Sequence, residues 1–113
     1  MSLDVNIKYK DPQREDYTHP FSFQSVLREQ WWPLAKKHEL ETLQRLECLV
    51  IENRADAVQL VDELRFVEKL LMSDDHGGVP EDKASYILER LGILWPVFDE
   101  ALAEWDNVKR LSI

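Results

Sequence analysis

Glu68, Cys48 and the three histidines (His19, His38 and His76) are the side chains whose chemistry would matter most in a catalyst of this sequence. Cys48 lies in Leu46-Glu47-Cys48-Leu49-Val50, flanked by apolar residues, and reads as a structural thiol within a helix. As the only cysteine it can form no internal disulfide and no multi-thiolate zinc site. His38 has only Glu39 and Glu41 near it in sequence, whereas a carboxylate metal site in a helical bundle needs Glu-x-x-His on two helices. Asp74-Asp75-His76 lacks the spaced oxygen ligands and closing Glu of a calcium loop, so it reads as a solvated loop. With three glycines in the chain, no phosphate-cradling loop, dinucleotide fingerprint or nucleophile elbow is present. These readings predict a protein without cofactor or metal, and without catalysis.

Glu68 is the one acid placed oddly. At 100° per residue it falls about 20° from Ala57 on a helical wheel, inside the apolar stripe. It is expected either to reach a neighbouring cation such as Arg65 or Lys69, or, in a catalytic reading, to work with His38 or His76.

Interaction chemistry is better represented. Trp31 and Trp32 are adjacent, so on a helix they point about 100° apart: either both pack at a corner where the helix ends before Pro33, or one indole is exposed as a partner anchor. The charge is uneven as well. The chain carries 22 acids against 14 bases, net −8. Residues 73–106 alone hold nine acids and two bases, net −7, whereas residues 1–46 are neutral. Asp99, Glu100, Glu104 and Asp106 are the candidate partner-binding acids. This balance disfavours binding to nucleic acid or anionic membrane, both of which select clustered Lys and Arg. It suits a basic protein partner.

The elements that must position these groups follow from periodicity. Leu3, Val5, Ile7 and Tyr9 alternate with polar residues as in a strand, but no second such run is evident, which predicts an extended arm. Residues 10–21, with Pro12 and Pro20, read as a loop. Ser22 is expected to cap a helix over Phe23 to Trp31, with Pro33 opening another. Leu43, Leu46, Val50, Asn53, Ala57, Leu60, Leu64, Val67 and Leu71 follow 3-4 spacing, either along one rod or along a hairpin broken near Asn53 to Asp56. The weak Asn53 and Ala57 positions, and the capping-box spacing from Asp56 to Gln59, favour the break. Pro80, Glu81 and Asp82 start a further helical stretch, interrupted at Gly92 and Pro96, which Lys109 and Arg110 close. Trp32-Pro33-Leu34 and Trp95-Pro96-Val97 echo each other faintly.

The expectation is one all-α domain spanning residues 1–113: an arm and loop over 1–21, then a compact bundle of four to five helices, two helical hairpins, over 22–113. No apolar run approaches the roughly 20 residues needed to cross a bilayer, and no secretory or lipidation signal is seen, which predicts a cytoplasmic protein. The functional expectation is a small acidic interaction module, an inhibitor-, antitoxin- or immunity-type binder. The alternatives are a homo-oligomer built on the arm or the heptad stripe, and a metal-binding or enzymatic bundle.

Overall fold

The N-terminal alternation does form a strand, and that strand is not alone. In the computed structural model, which describes residues 2–113, β1 (Ser2–Tyr9) pairs antiparallel with β2 (Tyr17–Phe23) and also with β4 (Val108–Ser112). The short β3 (Val50–Ile51) adds to the far side of β4, giving the order β2-β1-β4-β3. Met1, assigned above to the arm, lies outside the described residues. The fold is therefore α+β, and the all-α expectation is overturned by this four-stranded antiparallel sheet.

The corrections have local causes. The loop expected over residues 10–21 is only a turn in its first half: Gln13 N–H donates to Asp11 Oδ1 (2.9 Å) and Arg14 N–H to the Asp11 carbonyl (3.1 Å). Pro12 suits the second position of that turn. The chain then returns as β2, in which Pro20 is tolerated because β2 is an edge strand. A bulge shifts the register from Asp4↔Pro20 to Leu3↔Ser22, leaving Phe21 as the extra residue, buried in the core. The residues expected to close the last helix instead form β4, where a second register shift disrupts the alternation of Val108-Lys109-Arg110-Leu111.

Helix α1 (Gln24–Val26) continues through a π turn (Leu27–Trp31) into α2 (Trp32–Lys37). Ser22 does not cap it, since its hydroxyl donates to the Phe23 carbonyl (2.9 Å). The π turn comes just before Pro33, whose ring and missing N–H disfavour regular α-helical bonding there. Helix α2 ends in a Schellman motif: Leu40 N–H bonds Ala35 O (2.8 Å) and Glu39 N–H bonds Lys36 O (3.4 Å), with Glu39 in the left-handed region at φ 55°.

The 43–71 stripe does break where expected, but its first part is a 3-10 segment (Leu43–Cys48) followed by β3 rather than an α-helix. Cys48 is exposed at the end of that segment, not held inside a helix. Asn53 then caps α3 (Arg54–Leu71), accepting from Asp56 N–H (2.9 Å) while its amide donates to the Asp56 carboxylate (2.8 Å). The cap thus starts three residues earlier than the spacing of Asp56 and Gln59 implied. Helix α4 (Glu81–Ala103) runs unbroken past Pro96, so the two Trp-Pro pairs occupy unlike places, one at a helix start and one in mid-helix.

Both long helices pack on the same face of the sheet. Val5, Ile7, Phe21, Val108 and Leu111 from the strands meet Leu60, Leu64, Leu91 and Phe98 in one core, while Asn6, Lys8, Thr18 and Arg110 are exposed. Helix α4 lies along β2: Phe23 N–H donates to Tyr86 Oη (3.2 Å), and the two rings stack 5.6 Å apart. Arg54, at the start of α3, donates to the Leu102 carbonyl at the end of α4 (2.9 Å), supplying a cation where the helix dipole is negative.

Candidate functional site

The two adjacent tryptophans part ways. Trp31 is 2% exposed and packs against Phe21, with ring centroids 5.1 Å apart. It is a core residue and presents nothing to a partner. Trp32 is half-buried and lines a cleft of about 250 Å3 with Lys36 and Gln44. Neither indole N–H has a hydrogen-bond partner among the described residues, so Trp31 buries its ring at the cost of an unmet donor.

Glu68 answers the question its position raised. Its Oε2 accepts the Trp95 indole N–H at 2.6 Å, and its Oε1 lies 3.5 Å from Arg65 Nη1. The Arg65 guanidinium sits over the Trp95 ring, 3.7 Å from its centroid. The expected Arg65 contact is present, and Trp95 is a partner the spacing did not reveal. The histidines lie elsewhere. His38 meets Phe66 edge-on at 5.3 Å, His76 Nδ1 lies 2.9 Å from the Leu71 carbonyl, and His19 Nδ1 lies 2.9 Å from the Pro20 carbonyl. Among the described residues no three His, Cys, Asp or Glu side chains converge as metal ligands.

One buried acid escaped the sequence reading. Glu63 is 8% exposed and accepts from Thr42 N–H (3.2 Å), Leu43 N–H (3.1 Å) and the Gln59 amide (3.1 Å). It caps the 3-10 segment from a neighbouring helix, a tertiary cap that leaves no local spacing signal. It also borders an open cleft of about 320 Å3 with Glu39, Glu41, Asp62 and Phe66.

The four acids expected to bind a partner all lie at the C-terminal end of α4 and just beyond it. Arg14, on the β1–β2 connection, reaches Glu104 Oε1 at 2.5 Å and Glu100 Oε1 at 3.4 Å. The Tyr9 ring supports this guanidinium, 3.5 Å from ring centroid to Cζ. Burial raises the Tyr9 hydroxyl pKa, an effect the Arg14 charge opposes, while the hydrogen bond to Glu104 raises that of Arg14. Glu104 is half-buried by this arrangement; Asp99, Glu100 and Asp106 remain exposed. Further back along α4, Glu81, Asp82 and Glu89 are exposed too. Among the described residues, the ion pairs formed by α4 are those of Glu100 and Glu104 with Arg14. Lys83 joins none of them, and Arg90 turns towards the Tyr86 ring (5.3 Å). Chemically, the helix can attract and hold cations along its outward side.

No helix is long and apolar enough to cross a membrane. No family model, curated protein or solved structure matches the chain.

Proposed function

We propose that this protein is a non-enzymatic interaction module that binds a basic protein partner through α4, as small inhibitors, antitoxins and immunity-type proteins do. One observation carries the reading: Glu81, Asp82, Glu89, Asp99 and Asp106 are exposed, and none has an ion-pair partner among the described residues. Glu81 and Asp82 also favour the start of α4, whereas Glu89, Asp99 and Asp106 add repulsion with no compensating pair and serve to steer a cationic partner. The free, exposed thiol of Cys48 fits a reducing compartment such as the cytoplasm.

Most of the surface expected to support self-association is engaged within the fold, although Val50 of the heptad stripe is 54% exposed. Strand β1 is paired on both edges, and Leu43, Leu46, Leu60, Leu64, Val67 and Leu71 of the heptad stripe are in the core.

Affinity capture, followed by association kinetics with the recovered partner, tests the proposal. A basic partner should associate fast at low salt, and Asp99→Lys with Asp106→Lys, both exposed and unpaired, should slow association by about tenfold or more without changing the fold. A partner that is not basic, or rates indifferent to charge reversal and salt, would overturn it.

A further inference from the structure

Helix α4 departs from local preference at two positions one turn apart. Gly92 is in mid-helix with an ordinary φ, and a Cβ there would meet no atom within 4 Å. Neither backbone conformation nor packing requires glycine, one of the least favourable residues in a helix interior. Four residues on, Pro96 has no N–H, so the Gly92 carbonyl loses its helical donor. Between them Ile93 is 45% exposed. All three are exposed: at 100° per residue Pro96 projects about 40° and Ile93 about 100° from Gly92 around the helix axis. The result is a low, apolar, backbone-lined saddle with an unclaimed acceptor. One turn before it stands Glu89, and one turn after it Asp99 and Glu100, all exposed.

Where a sequence violates local preference without compensation inside the fold, the compensation is to be sought in what the surface meets. We infer that this saddle is the docking surface for an α-helix of a basic partner protein, crossing α4 at Gly92. The inference rests on the acidic-module reading and gives that module its contact point. Charge complementarity selects the occupant. Glu89 and Asp99 are about 15 Å apart along the axis at 1.5 Å rise per residue, so the partner helix must carry Lys or Arg on both sides of an apolar residue. The apolar residue covers Ile93 and Pro96. The missing Cβ lets the partner approach the backbone, and one cationic N–H donates to the Gly92 carbonyl.

The test uses the whole protein and an amphipathic Leu/Lys helical peptide as probe, followed by amide chemical-shift mapping. Binding at low salt should shift resonances across Glu89–Glu100. Gly92→Ala should weaken binding at least fivefold while raising the melting temperature by about 3–6 °C, because alanine favours the free helix. Ile93→Ser should weaken it comparably. Opposite signs for binding and stability separate docking from a folding defect. If the peptide binds but its shifts map to the Glu39–Phe66 cleft, or if Gly92→Ala binds equally well, the saddle is overturned while the acidic-module reading stands. If the protein self-associates through Ile93, the occupant is a second copy and the inference fails. If the peptide does not bind at low salt, the saddle is overturned, while the acidic-module reading is decided by the captured partner and its response to charge reversal.

Discussion

Trp95 on α4 donates its indole N–H to the Glu68 carboxylate on α3 at 2.6 Å, while Arg65 lies over the same ring. Three side chains thus tie the two long helices together, and each meets a different face or edge of the others. The indole supplies a donor, an apolar surface and a π cloud, and the carboxylate and guanidinium use all three.

Glu68→Ala should therefore cost about 1–2 kcal/mol, most of it from stranding the Trp95 N–H in a setting only 9% exposed. Glu68→Gln keeps an acceptor and should cost less than half as much. Urea denaturation followed by far-ultraviolet circular dichroism checks both. Equal costs for the two variants would show that the hydrogen bond contributes little.

Glu63 holds the amides of Thr42 and Leu43 from another element, so its removal leaves two donors without partners. Glu63→Ala is expected to destabilise by about 2–4 kcal/mol, more than the loss of an exposed cap because two buried amides lose their acceptor. Hydrogen exchange should show the loss concentrated at the amides of residues 42–48.

Glu39 occupies the left-handed position of the α2 terminus at φ 55°, where a side chain brings strain that glycine avoids. Glu39→Gly is expected to stabilise by about 0.5–1 kcal/mol, the strain relieved being partly offset by glycine's greater freedom when unfolded. Thermal unfolding gives the sign directly.

Asp75 titrates below the usual carboxylate range, chiefly because the Ser73 hydroxyl donates to it and then because the Gly77 N–H does. The folded loop favours the ionised form. Its contribution is complete above the pKa of the unfolded carboxyl and is lost as pH falls through the lower folded value. The amides of residues 76–78 should accordingly titrate with a midpoint below about pH 4, the ordinary aspartate range, and Asp75→Asn should abolish that transition. A midpoint at or above pH 4 would show that the loop does not select the carboxylate.

The helices were largely legible because their signals are local. The break near Asn53 shows in the weakened stripe, and the acids Glu81 and Asp82 mark the start of α4. The sheet was not legible beyond β1. In β2, Pro20 and the bulged Phe21 disrupt the alternation that identifies a strand; in β4 the register shift beside Tyr9 does the same; β3 is two residues long. Antiparallel pairing between distant segments writes nothing into the spacing of either one. At the surface, charge was legible by counting: Glu81, Asp82, Glu89, Asp99 and Glu100 are exposed on α4, whereas Glu104, half-buried against Arg14, and Asp106 lie beyond its end. Which tryptophan would be buried was not, because a π turn and a bulge together decide it.

The central position of β1 has a kinetic consequence. Asn6 pairs with Ser112 and Ile7 with Leu111, contacts that span almost the whole chain. During synthesis β1 and β2 emerge before β4, so one edge of β1 stays unpaired until β4 follows. The barrier to folding is thus weighted towards a late, long loop closure, slower than for a helical bundle of equal size, and the waiting edge is the point at which a nascent chain would pair wrongly or recruit a chaperone.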